Sequence, residues 1–483
     1  MKKKLIVTIV SVVLCVLIAL TLVGCKENYK QKALAMDWNN IAVSSNNGLA
    51  VRVGDYLYFI NGYADKTGDN DFGKTVKGAI MRVELENNLP VRDTLETVVP
   101  KNVYNSNASL GLVVKGEYIY YSTPAVTKDG KGNPQTDKMD LMRTKLDGTG
   151  TQKLATFDDF NTVYQVMDEY ILYTRENKLF ELNLGSKSFK TKEVADKVNS
   201  AKFLSYNSRS DVFSNVVLFD KNDEGVGVYK NIVYAYTAGS GEPKVIIDGL
   251  NSYQGKVLEH EKGYRITLTA LDLLENGNLR VYYSKSDSTP NSISKGSYSY
   301  DFDKNFSFDW NKEVRYTTGT TYTRFDRLNA NNIMTLDDKG YHLGVYDKDV
   351  KTWNFTPIID VASIQILSYE EVGADVVVTY VTSNKLRKIK VLEKVADAYN
   401  PVVVGVETLY SGPYFSTWLT YDKVYNTIYF FNSDVKNYTY YLDLSAVVSG
   451  KSETMTGTRL GAFSRADEIS MLEAPPTETK DKK

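Results

Sequence analysis

An all-β fold of short antiparallel strands is what this 483-residue chain predicts. Three observations predict it. One phrase recurs along the chain: an apolar run, a Gly/Asp/Glu turn, then an aromatic-rich run. Tyrosine is abundant, at 36 residues beside 2 histidines and 11 prolines, and it suits a half-buried pleated surface. No stretch of the body carries a helical period. Composition bounds the rest. At 42% hydrophobic and 24% charged residues the chain is globular and long enough for a large core. Its 58 basic and 59 acidic side chains leave a formal charge of −1, so no basic field points to nucleic acid. Both cysteines, Cys15 and Cys25, lie at the amino-terminal end, which leaves the body without a disulfide, a thiolate metal site or a cysteine nucleophile.

The amino-terminal element comes first. Residues 1–25 read MKKKLIVTIVSVVLCVLIALTLVGC, with Lys2, Lys3 and Lys4 ahead of an apolar stretch from Leu5 to Val23. A bilayer span needs about 20 apolar residues, so an uncleaved anchor is one reading. The other is an export signal, because the stretch closes on Leu22-Val23-Gly24-Cys25, small residues before a cleavage point. This ending resembles the lipobox of bacterial lipoproteins. The resemblance implies diacylglyceryl attachment at Cys25, cleavage between Gly24 and Cys25, and an extracytoplasmic protein held to the cell membrane by lipid. Two acyl chains suffice for stable anchoring. Loss of the three lysines takes the formal charge from −1 to −4. Residues 1–24 are thus the signal peptide and 25–44 the lipidated amino terminus and tether. Residues 45–470 form the β-domain, and 471–483 are a tail without apolar periodicity, expected to be disordered.

The recurring phrase reads LAVRVGDYLYFING (49–62), LGLVVKGEYIYYS (110–122), VYQVMDEYILYT (163–174) and, more loosely, WLTYDKVYNTIYFFN (418–432). Each is two strands and a tight turn. A third strand follows the first three copies, as AIMRVEL (79–85), DLMRTKL (140–146) and KLFELNL (178–184). After the second of these, Asp147-Gly148-Thr149-Gly150 turns into a fourth strand, so one unit is a four-stranded meander. Weaker copies fill the interval, around 215–248, 263–285, 332–359 and 374–406, and the last runs from Tyr421 to Leu444. The aromatic-rich segment YSYDFDKNFSFDW (298–310), in the widest interval, reads as an insertion. Four strands per unit, repeated about every 53 residues on average, point to a β-propeller. Eight blades is the count, with seven as the alternative. Tandem β-sandwiches fit less well, because no Pro/Gly/Ser linker divides the chain and the phrase spans both halves.

GEYIYYS followed by LMRTKLDGTGTQKL (141–154) resembles the bacterial low-density-lipoprotein-receptor-related-protein-like propeller family of unknown function. It is also similar to the repeats of TolB-type periplasmic translocation proteins. The likeness covers roughly residues 45–185. It implies a propeller outside a bacterial membrane and carries no catalytic residues with it, since a fold does not specify an activity.

Chemistry-bearing residues are sparse. His260 and His342 are the only histidines, and neither has a partner at metal-ligand spacing. A serine triad would need one of them as base. No G-x-S-x-G elbow presents a serine, and Ser411 in YSGPYFS lacks the second glycine. Acidic loops at 65–73, 129–137 and 220–227 place oxygens at alternate positions but miss the EF-hand order, so they read as turns rather than calcium sites. Catalytic, cofactor and metal residues are therefore expected to be none. Most tyrosines are expected to pack between strands, and Trp310, Trp353 and Trp418 are the candidates for an exposed aromatic surface. The expectation is a non-catalytic binding or interaction module, its partner a protein or a cell-envelope glycan, not nucleic acid. The alternatives are a polysaccharide-active enzyme using two carboxylates roughly 5–9.5 Å apart, or the scaffold of an envelope complex.

Overall fold

A computed structural model of the chain describes residues 33–36 and most of 48–460, the exceptions being segments between strands. Residues 1–24, expected to be a signal peptide, Cys25 and residues 471–483 lie outside the described residues.

Eight sheets of four or five strands follow one another through the described residues, spanning 50–99, 113–157, 164–195, 198–248, 265–315, 324–359, 365–406 and 419–460. Each is built on an antiparallel meander in chain order, with a fifth short strand added to the first and seventh. The one helical element among the described residues is a single 3-10 turn, Trp310–Lys312. Tight turns make the meanders. Gly54 and Gly116, at φ 56° and 57°, join the first two strands of sheets one and two. That left-handed conformation costs glycine nothing, which explains why the phrase repeats V-G-D-Y and K-G-E-Y. In the Asp147-Gly148-Thr149-Gly150 turn, the Asp147 carboxylate accepts from the Thr149 N–H at 2.9 Å and from its hydroxyl at 2.6 Å.

The sheets are arranged as the blades of a propeller. First strands neighbour one another from sheet four to sheet eight. A bridge between Gly48 and Leu112 joins sheets one and two at the entry to their first strands. Sheets two and three share an apolar layer that includes Val113, Leu141, Tyr164 and Ile171. Sheets three and four share another, with Leu172, Leu179, Val217 and Phe219. The ring then closes on itself. Tyr429 and Leu460 of the eighth sheet are buried in the core of the first. The Thr439 hydroxyl donates to the Ile60 carbonyl at 2.8 Å, and Arg52 lies 3.4 Å from Asp422 and 3.4 Å from the Tyr425 ring centre. Among the described residues no strand is shared between these two sheets, and side-chain contacts join them. Residues Thr454–Met455 leave the eighth sheet to pair, in parallel, with the outer strand of the seventh.

Because a blade has neighbours on both faces, its second strand is buried continuously rather than alternately. Leu57, Tyr58, Phe59 and Ile60 are all inaccessible, as are Val216 to Phe219 and Leu279 to Tyr283 apart from a sliver of Arg280.

Several sequence expectations need correction. The segment at 298–310 is no insertion: Gly296–Phe302 is the third strand of the fifth sheet. The interval looked wide because the copy at 263–285 begins with the first strand of its sheet, Arg265–Leu273, whereas those at 215–248, 332–359 and 374–406 begin with second strands. The first strands Val198–Phe203, Arg324–Asn329 and Gln365–Val372 also went unread.

The closure gives a direct prediction. A Cβ built on Gly48 would lie 2.3 Å from the Thr420 hydroxyl oxygen, which accepts the Leu49 N–H. Gly48→Ala is expected to cost about 1–3 kcal/mol through overpacking, read from the urea midpoint. An unchanged midpoint would mean the first and eighth sheets are not pressed together there.

Candidate functional site

Charged side chains are buried at a few places, and each place joins strands or sheets. At the boundary of sheets one and two, Arg82 sits in the strand Ile80–Glu86 with 1% exposure. Its guanidinium lies over the Tyr56 ring at 4.2 Å and meets the Glu96 carboxylate at 2.6 Å. Its Nη1 reaches the Met36 sulfur at 2.8 Å and the Tyr58 hydroxyl at 3.4 Å. Tyr58 in turn donates to the Leu146 carbonyl of sheet two at 2.8 Å. Burial pushes the Tyr58 phenol up to about 12, with Arg82 pulling the other way. The amino-terminal segment 33–36 seats here. The Leu34 N–H donates to the Asp147 carbonyl at 3.1 Å, and Leu34 and Met36 pack on the core of sheet one.

The second place is in sheet five. Lys285 and Glu313 form an ion pair at 2.6 Å with 2% and 7% exposure. The ammonium is boxed by Tyr298, Tyr264 and Trp310, whose ring centres lie 4.1, 4.9 and 4.9 Å away. Cation–π attraction strengthens when desolvated. The other Glu313 oxygen accepts from the Tyr283 hydroxyl at 2.5 Å. Burial holds Lys285 below the ordinary lysine range, opposed by Glu313.

The third place joins sheets four and five. Asp220, fully buried, accepts from Ser200, from Asn199 at 3.0 Å and from Asn231 at 2.9 Å. Asn231 also donates to the Ile266 carbonyl at 2.7 Å and accepts its N–H at 2.6 Å. Between sheets three and four, Glu181 accepts from the Tyr236 hydroxyl at 2.7 Å and the Gly239 N–H at 2.6 Å.

The residues singled out in the sequence are scattered. Gly24, Cys25, His260, Ser411, Trp418 and the loop at 65–73 lie outside the described residues. His342 is half-buried in the strand Gly340–Asp347 of sheet six, opposite Thr335 and Pro357. Trp353 lies in the strand Thr352–Ile359, opposite Tyr346. Trp310 is not an exposed platform; it is 9% accessible and walls the Lys285 box. Asp220 belongs to a strand, not to the loop it was grouped with, and its carboxylate is committed to the core. Among the described residues no group of three His, Cys, Asp or Glu side chains could hold a metal ion, and no helix is long and apolar enough to cross a membrane. Sequence reading passed over Lys285, Arg82 and their partners. The signal for Arg82 was a cation in the middle of the apolar run AIMRVEL, and for Lys285 a cation closing the apolar run LRVYYSK.

No family profile and no curated protein matches this chain. Solved structures with a similar course include a eukaryotic initiation factor, at 10% identity over 89% of this chain and 90% of that one, TM-score 0.46. A prolyl endopeptidase aligns at 10% identity over 84% of this chain, TM-score 0.45, and the chain spans only 55% of that enzyme. The propeller domain of the trilobed protease from Pyrococcus furiosus aligns at 10% identity over 74% of this chain and 97% of that domain, TM-score 0.40. Identities and scores this low carry nothing about activity.

Proposed function

We propose that the protein is an extracytoplasmic lipoprotein, held to a bacterial cell membrane by lipid on Cys25, whose propeller is a non-catalytic binding module for a protein or a cell-envelope glycan. The observation that carries the non-catalytic part is what the buried charges do. Lys285, Glu313, Arg82, Asp220 and Glu181 each engage another strand or sheet of the ring. Groups committed in this way are structural, because freeing one for chemistry would strand its partner. The lipobox supports the anchor, and two acyl chains supply the affinity. The resemblance of residues 45–185 to extracytoplasmic propellers of unknown function supports the same placement.

Two measurements test the reading. The protein is expected to incorporate labelled fatty acid and to lose residues 1–24, and Cys25→Ser is expected to abolish both and leave the full-length precursor. Unaltered protein that keeps residues 1–24 and takes up no fatty acid would leave an uncleaved anchor as the explanation. For the module, the lipidated protein is expected to retain a protein partner from native membranes or a glycan on an envelope-glycan array. Turnover of envelope polysaccharide by the purified protein would replace the binding reading with an enzymatic one.

A further inference from the structure

The lipid on Cys25 fixes only one end of a tether; which side of the propeller faces the bilayer depends on where the tether meets the ring. In an antiparallel meander the first-to-second and third-to-fourth turns lie at the same end of the sheet. The described residues bear this out. The Leu85 N–H donates to the Asp55 carbonyl in sheet one, and the Leu146 N–H to the Glu117 carbonyl in sheet two. Lys145 adds an ion pair to Glu117 at 2.6 Å. The same end aligns from sheet to sheet. Lys115 of sheet two pairs with Asp168 in the first turn of sheet three at 2.7 Å, and Asn215, just ahead of the second strand of sheet four, donates to Asp168 at 3.0 Å. These turns define one face of the ring. The opposite face carries the second-to-third connections, including 61–79, 125–138 and 223–230.

The strap at 33–36 docks on the turn face. Leu34 is bonded to Asp147, within the third-to-fourth turn of sheet two, and Met36 is gripped by Arg82 and Tyr58. Cys25 precedes Leu34 by nine residues, and an extended chain of that length reaches about 30 Å. Strands of five to seven residues put the two faces about 20 Å apart, so a chain leaving the turn face would have to wrap around the rim to bring the other face down. Surface charge does not compete with this: on the turn face of sheets one to three Asp55, Glu117, Asp147, Asp168 and Glu169 are set against Lys115, Lys145, Lys187 and Lys190, a near balance that gives anionic lipid no basic patch to hold.

We infer that residues Leu34 and Met36 act as an orienting strap, so that the tight-turn face of sheets one to three is held against the membrane and the long-connection face is turned away from it. This rests on the lipid anchor proposed above. The body holds no cysteine, and Cys25 is consumed by its lipid, so single labels can be placed at will. Asp55→Cys and Glu169→Cys sit on the turn face, Asp196→Cys on the other; all three positions are exposed. With lipidated protein in phosphatidylcholine vesicles carrying an acceptor-labelled lipid, energy transfer from the first two is expected to exceed that from the third several-fold. Leu34→Ser with Met36→Ser is expected to leave the protein folded and membrane-bound and to erase the difference. Equal or reversed transfer in the unaltered strap, from protein that is lipidated and sediments with the vesicles, overturns the orientation alone. Protein that carries no lipid overturns the anchor and the orientation together.

Discussion

Above pH 10 the protein is expected to unfold steeply, because its core is built with phenols that cannot ionise in place. Tyr58 and Tyr121 are inaccessible to solvent. Burial pushes each of them up to about 12, against the opposing hydrogen bonds of Arg82 and Thr144 respectively. Burial also raises Tyr164, Tyr236 and Tyr429, with the Glu181 carboxylate adding to the rise at Tyr236. The folded value lies above the unfolded value of 10.0 in every case. Each group therefore contributes its full stability below pH 10 and loses it as the pH climbs toward the folded value, since the unfolded chain releases the proton first. A shift of two units is about 3 kcal/mol. Two such groups already rival the net stability of an ordinary domain, about 5–15 kcal/mol.

The measurement is a tyrosinate absorbance titration run beside far-ultraviolet circular dichroism. Exposed tyrosines are expected to ionise first without loss of β signal, and the buried set in one step that coincides with unfolding. Gradual ionisation of the whole set in a chain that keeps its β signal would sink the argument. Tyr121→Phe is expected to soften the transition, and it leaves Thr144 a partner in the Thr151 hydroxyl at 3.0 Å.

Why the first three blades were legible and later ones less so follows from where each strand lies. In sheets one and two the turn demands a left-handed residue, and Gly54 or Gly116 announces it. The second strands are buried on both faces, so YLYFI and YIYYS are unmistakably apolar. A first strand is different. VNSAKF is only partly buried along most of its length, and RFDRLN mixes charges with two apolar residues, so neither shows a period a reader could find. The buried charges were less legible still. Lys285 meets Glu313 28 residues away, and Arg82 meets Met36 46 residues away. The meander of one blade brings the first pair together, and the seating of residues 33–36 on sheet one the second. A cation inside an apolar strand is a flag that something must answer it, but not what. Trp310 was picked out as aromatic surface, and the same residue proves to be a wall of the Lys285 box.

That box makes the second large prediction. Lys285→Met is expected to destabilise the protein by about 3–5 kcal/mol, the usual cost of leaving one partner of a buried ion pair alone. The cause is the carboxylate left behind rather than the missing volume, since methionine fills nearly the same space. Among the described residues Glu313, at 7% exposure, would keep only the Tyr283 hydroxyl to answer its charge. Neutralising it should return much of the loss. Lys285→Met with Glu313→Gln is expected to be more stable than Lys285→Met alone, because the amide oxygen still accepts from Tyr283 and no charge is buried. The damage has a predictable location. Glu313 lies between the turn Trp310–Lys312 and the edge strand Val314–Arg315, which pairs with Tyr298 and Ser299. Hydrogen exchange at 310–315 and at the third strand Gly296–Phe302 should therefore quicken before the other sheets open. A double variant no more stable than the single one would mean that the stranded carboxylate is not the cause, and that the loss comes from the cation–π contacts with Tyr264, Tyr298 and Trp310, which both variants lack.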